Sequence, residues 1–130
     1  MAAVIYLDTH AAAWLYAGLA ERFAPSVREL LEREDLFVSP MVELELQYLH
    51  EIGRLGEGGR TVVAGLGALV GLRVCDRPFG QVVAKALELT WTRDPFDRLI
   101  VAQAAVTDAL LVTKDRGIRE HYVRAVWEDV

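Results

Sequence analysis

Short, unbroken apolar runs separated by amphipathic stretches set the main constraint on this chain. Val4–Leu7 is apolar throughout and stops at Asp8, and residues 36–38 and 110–113 repeat the form. A run without polar alternation fits a strand covered on both faces, as in parallel sheets. Between the runs lie helical patterns at residues 11–17, Pro25–Arg33, 61–70 and 79–89. Ser39 and Pro40 supply the N-cap and first residue of a helix reaching about residue 52. Asp94 and Pro95 start another, to about residue 108, and shorter strands fit 72–75 and 124–127. Strands alternating with helices need crossover connections, so the expected fold class is α/β with a mainly parallel sheet.

The 130 residues, 53% of them hydrophobic and 25% charged, suit a single globular domain spanning 1–130. A chain this long buries about two-thirds of its unfolded surface, enough for a core without staples. The glycine-rich segment from Gly53 to Arg60 reads as a flexible loop inside that domain. Uncharged stretches such as Thr61 to Leu72 are too short for a membrane helix. The N-terminus lacks the basic and apolar regions of a signal peptide, and Cys75 is the sole cysteine. The expectation is a cytoplasmic protein without disulfides or Cys-rich zinc sites. Net charge is −5, from 14 Lys and Arg against 19 Asp and Glu, which argues against holding nucleic acid by charge alone. Bound divalent cations would offset most of that excess.

Ligand sites in open parallel sheets lie outside the carboxyl ends of the strands. Asp8 directly follows the first strand, and Asp115 comes two residues after Thr113. Either alone is also what a helix cap or turn requires. The helix after Ser39 is more telling. On a wheel of about 100° per residue, Glu45 shares its face with Met41, Val42, Tyr48, Leu49 and Ile52, whereas Glu43 points to the other side. A lone carboxylate in an apolar stripe needs a cation, a proton or a basic partner. Asp97 likewise shares a face with Ile100, Val101 and Ala104, although Asp94, Pro95 and Asp97 together also describe an ordinary acid-rich helix start.

Asp8, Glu45, Asp97 and Asp115 would meet at one end of the sheet. Four carboxylates in one pocket repel unless cations compensate, and oxygen-only donors favour Mg²⁺ or Mn²⁺ over Zn²⁺. Such ions serve phosphodiester hydrolysis. Arg93, Arg98, Lys114 and Arg116 lie close by in sequence, as phosphate contacts or as solvated surface charge. His10, His50 and His121 are too scattered for a triad and read as packing or surface residues.

These residues carry a family resemblance. Tyr6-Leu7-Asp8-Thr9-His10 with Trp14-Leu15 resembles the opening of PIN-domain proteins. So do Arg93-Asp94-Pro95-Phe96-Asp97-Arg98-Leu99-Ile100, with Ala102-Gln103-Ala104, and the late Leu111-Val112-Thr113-Lys114-Asp115. The likeness is to the ribonuclease toxins of bacterial and archaeal toxin–antitoxin pairs, the VapC type. It implies a PIN-like three-layer α/β/α sandwich and an Mg²⁺- or Mn²⁺-dependent endoribonuclease acting on single-stranded RNA. It also implies a cognate antitoxin and a homodimer. Residue by residue, it gives catalytic and metal-binding roles to Asp8, Glu45, Asp97 and Asp115, with Asp94 and Thr113 in support. The family's second acid stands six residues after a serine, which selects Glu45 after Ser39, as the helical wheel does. Trp91-Thr92-Arg93 departs from the His-Arg that relatives often carry before Asp-Pro.

Two other readings stay open in the sequence. One is phosphotransfer through an aspartyl phosphate on Asp8, in which Glu45 would have no task. The other is a PIN-like interaction module that neither binds metal nor cleaves.

Overall fold

The computed structural model describes residues 2–130. Strand β1 (Val4–Leu7) lies at the centre of a five-stranded sheet. It pairs in parallel with β2 (Asp35–Val38), Ile5 opposite Leu36, and with β4 (Leu110–Val112), Tyr6 opposite Leu111. The outer strands are β3 (Arg73–Val74) beside β2 and β5 (Ala125–Val126) beside β4, both parallel. Successive strand residues face opposite sides, yet Ile5, Tyr6 and Leu7 are all buried, so both faces of β1 are covered. Each such side chain contributes about 1.5–3 kcal/mol, which fixes β1 in the middle of the molecule.

Seven α-helices among the described residues flank the sheet in a three-layer α/β/α arrangement: α1 (Thr9–Tyr16), α2 (Pro25–Arg33), α3 (Pro40–Glu51), α4 (Gly59–Val70), α5 (Phe79–Ala86), α6 (Pro95–Ala105) and α7 (Arg116–His121). One turn of 3-10 helix covers Ala20–Arg22. Among the described residues, no helix is long and apolar enough to cross a membrane. The strand order is β3-β2-β1-β4-β5. The chain therefore builds outward from β1 on one side, then crosses to build outward on the other. That reversal opens a crevice between the carboxyl ends of β1 and β4.

Local chemistry sets the helix starts. Ser39 accepts from the Met41 amide at 3.1 Å, and proline stands first in α2, α3 and α6, where no amide partner is lost. Helix α4 begins at Gly59, two residues before its expected start, because the glycine segment packs closely there. A Cβ on Gly59 would stand 2.0 Å from the Glu43 carbonyl oxygen, and Gln47 Oε1 accepts from the Gly59 amide at 3.1 Å. This end of the loop is a fitted contact rather than a slack link. The helix expected over 79–89 ends at Ala86, and that expected to reach about 108 ends at Ala105. Asp108 then takes a left-handed φ of 54° as the chain turns toward β4. Residues 116–121, given no element in the sequence reading, form α7 with Asp115 as its cap.

The stripe on α3 also needs correcting. Val42 and Leu46 are its buried residues, whereas Tyr48 is 48% and Ile52 49% exposed. Glu45 is thus half-buried at the border between core and solvent, not at the centre of a buried face. A wheel measures angles around one helix but does not tell a core-facing stripe from one lining a cleft.

Candidate active site

The crevice between β1 and β4 receives the two acids that end those strands. Asp8 follows Leu7 directly and caps α1, its Oδ1 accepting from the Ala11 amide at 2.9 Å. Only 7% of it is exposed. Burial pushes its carboxyl above the usual range, offset in part by the Thr113 hydroxyl and the Ala11 amide as hydrogen-bond donors and by nearby His10, while Asp115 pushes it further up. Asp115 caps α7 through a 2.8 Å bond from the Ile118 amide to Oδ1. Its own amide donates to Thr113 Oγ1 at 3.0 Å. Thr113 is fully buried and so ties the two acids together through one hydroxyl.

The other two acids arrive on helices. Glu45, on α3, accepts at Oε1 from the Thr9 hydroxyl, which fixes it against the start of α1. Glu43 instead forms an ion pair with Arg60 at 3.6 Å, on another side of α3. Asp97, in the first turn of α6, is half-buried, and its pKa is raised to about 7. Burial is the main cause, followed by the negative charges of Asp94, Asp115, Glu45 and Asp8. Asp94 caps α6, accepting from the amides of Phe96 at 2.9 Å and Asp97 at 3.3 Å. It is exposed.

A cavity of about 250 Å³ opens here, and Asp8, Glu45, Asp97 and Asp115 all line it, with Lys114 on its wall. Ion pairs among the described residues engage Glu29, Glu34, Glu43 and Glu88, and none of the four cavity acids. Four carboxylates without a basic partner, two of them with raised proton affinity, form a hard-oxygen donor set that fits Mg²⁺ or Mn²⁺. Among the described residues, no three His, Cys, Asp or Glu side chains already form a closed cluster able to hold an ion.

The family model of the PIN domain matches residues 5–123. The chain belongs to the PIN-domain family. Ribonuclease VapC22 of Mycobacterium tuberculosis (strain ATCC 25618 / H37Rv) is 32% identical over 123 residues, covering 90% of this chain and 91% of that protein. Solved structures share the fold, two of them as follows. One is VapBC2 from Rickettsia felis bound to a DNA fragment from their promoter, with a TM-score of 0.64 and 16% identity, covering 96% of this chain and 99% of that one. The other is VapBC-1 from nontypeable Haemophilus influenzae, with a TM-score of 0.66 and 18% identity, covering 97% of each chain.

Within this PIN domain, the basic residues separate. Lys114 lines the cavity, whereas Arg98 donates from Nε to the Ala86 carbonyl at 2.8 Å and so ties α6 to the end of α5. Arg93 and Arg116 are exposed and do not line the cavity. Besides Ile100, sequence reasoning missed three polar or aromatic wall residues. His10, read as packing or surface, lines the cavity and lies 6.0 Å from the Trp14 ring. Thr9 and Trp14 line it too. For Thr9 there was a signal: it directly follows an acid at a strand end, within reach of the next carboxylate.

Proposed function

We propose that this chain is a divalent-metal-dependent endoribonuclease, the toxin of a toxin–antitoxin pair, acting as one domain over residues 1–130 in the cytoplasm. The observation that carries the reading is the convergence of Asp8, Glu45, Asp97 and Asp115, from four separate elements, on one cavity without a basic partner. The kinship with a VapC ribonuclease supports the same activity.

Asp8, Glu45, Asp97 and Asp115 would hold one or two Mg²⁺ or Mn²⁺ ions. Such an ion supplies Lewis-acid polarisation of a phosphoryl oxygen and eases ionisation of a water near neutral pH. Asp8 is kept rigid by the Ala11 amide and Thr113, and Glu45 by Thr9, so the donors need little reorganisation. Asp94 orders the first turn of α6 and thereby aims Asp97. Lys114, on the cavity wall, offers a positive charge to the entering phosphate. The protein needs no covalent nucleophile in this scheme, and Glu45 has the task that an aspartyl-phosphate mechanism would deny it.

The partner is a cognate antitoxin, a reading supported by the VapBC structures that share the fold. A homodimer is supported by the exposed apolar stripe of Leu44, Tyr48 and Ile52 along α3. Sedimentation of wild type against Tyr48→Glu checks it: a dimer converted to monomer is expected, and an unchanged mass would remove this surface from consideration.

The activity is tested by incubating a mixed single-stranded RNA pool with Mn²⁺, Mg²⁺ or EDTA, beside Asp97→Asn and Glu45→Gln. Metal-dependent cutting absent from both variants is the expected result. A folded wild-type protein that neither cuts nor binds metal would leave only the non-catalytic interaction module.

A further inference from the structure

Next to the acidic cavity lies a second hollow of about 390 Å³, lined by Trp14, Arg22, Lys114, Trp127, Asp129 and Val130. Trp14 and Lys114 line both, so the two hollows adjoin at these side chains. The floor of the second is an aromatic block. Trp14 stands 6.2 Å from Phe23 and 6.0 Å from Trp127, and Trp127 lies 5.7 Å from Phe23, which is itself buried. Two cations sit over that floor: the Arg22 guanidinium at 5.3 Å from the Trp14 ring and Lys114 Nζ at 5.9 Å. Neither takes part in an ion pair among the described residues. The Trp127 indole N–H is buried and has no acceptor.

We propose that this second hollow is a nucleotide subsite for single-stranded RNA, next to the point of cleavage. A base stacks against the Trp14–Trp127 block, Arg22 and Lys114 hold the adjoining phosphate, and the neighbouring phosphodiester reaches the four carboxylates. The proposal rests on the ribonuclease reading and adds how the strand is held. An acidic cavity in a chain of net charge −5 repels a polyanion. Unpaired cations beside it supply the missing attraction. Aromatic faces accept any base, because every base has a π-face, and this suits single strands over duplexes. Asp129 is the one side-chain carboxylate lining the second hollow and opposes binding there.

The test is equilibrium binding of a labelled single-stranded hexaribonucleotide with Ca²⁺ in place of Mg²⁺, to keep the acidic site filled while slowing cleavage, read by fluorescence anisotropy across a range of salt. Wild type is compared with Arg22→Gln, Trp127→Leu and Arg28→Gln, the last a charge-matched control on the exposed side of α2. Arg22→Gln is expected to reduce the slope of log affinity against log salt by about 0.7, the loss of one phosphate contact on a single strand. Trp127→Leu is expected to weaken binding roughly fivefold or more with little change in slope. Arg22 is exposed, so its variant stays informative even if Trp127→Leu does not fold.

Wild type that fails to bind, or Arg22→Gln that behaves as Arg28→Gln does, would overturn the subsite. So would a polyglutamate peptide of equal charge that displaces the RNA at equal concentration, since the hollow would then be an acidic-protein surface. Cleavage measured with Mg²⁺ on the same preparations reports separately on the nuclease. The expected slopes without any cutting would keep the subsite and remove the ribonuclease reading. Cutting abolished by Asp97→Asn, beside unaltered binding in Arg22→Gln, would do the reverse.

Discussion

On one side of the cleft, Asp8, Asp115 and Asp97 sit in the first turns or caps of α1, α7 and α6, and Glu45 lies one turn into α3. On the other, Trp14, Arg22, Lys114 and Trp127 come from a helix, a 3-10 turn and the segments that follow β4 and β5. The acidic side is held by backbone amides and two threonine hydroxyls, and its charges are uncompensated. The basic side is held by ring packing between residues far apart in sequence. In the functions proposed for them, the contrast separates two tasks: placement of charge on the acidic side and adhesion to a strand on the aromatic side.

Substitutions that attack the acidic side should have the largest effects. Asp97→Asn keeps the shape of the side chain but removes its charge, and cleavage in single turnover should fall by about two to three orders of magnitude. A residual rate within tenfold of wild type would place the chemistry elsewhere. Thr113→Val should come next, because it removes the hydroxyl shared by Asp8 and Asp115. Metal affinity is expected to drop by about 10–100-fold, with recovery in Thr113→Ser. Loss in both variants would instead indicate a packing defect.

Stability against pH gives a smaller effect of defined sign. Asp97 binds its proton more tightly folded, at about 7, than in the unfolded chain, near 3.8. Its contribution is therefore fully present below about pH 4 and lost as pH rises through about 7. Asp8, also raised, acts in the same direction. In EDTA, the melting temperature should carry this downward component across that interval, and Asp97→Asn should flatten it. Equal pH slopes for the two proteins would mean that Asp97 is not strained by its neighbours. The smallest effect belongs to Glu43→Gln. Its ion pair with Arg60 has one partner 91% exposed, so the change should cost at most about 1 kcal/mol in chemical denaturation and leave cleavage untouched.

Local signals explain what the sequence revealed. An apolar run that stops at Asp8 announces a buried strand end, and Ser39-Pro40 and Asp94-Pro95 announce helix starts, because capping chemistry is set by neighbours in the chain. Asp8, Asp97 and Asp115 could be singled out because they stand at or beside those punctuation points, and Glu45 because it shares a helix face with apolar residues. Helix α7 was hidden because its cap, Asp115, belongs to the segment that reads as a strand end, and its six residues are too few for a periodic pattern. The exposure of Tyr48 and Ile52 was hidden because one helix does not reveal which neighbours cover it. The Trp14–Trp127 contact joins the two ends of the chain, and the Arg98 bond to the Ala86 carbonyl depends on how α5 meets α6. Neither leaves a mark in spacing.

In the proposed mechanism the uncompensated carboxylates form a divalent-metal site, with Glu45 and not Glu43 as its member from α3. Calorimetric titration of Mn²⁺ into wild type, Glu45→Gln and Glu43→Gln tests it most directly, since the two variants remove the same charge from the same helix two residues apart. Affinity should fall roughly tenfold or more in Glu45→Gln and match wild type in Glu43→Gln. Equal binding by all three proteins, or equal loss in both variants, would contradict it.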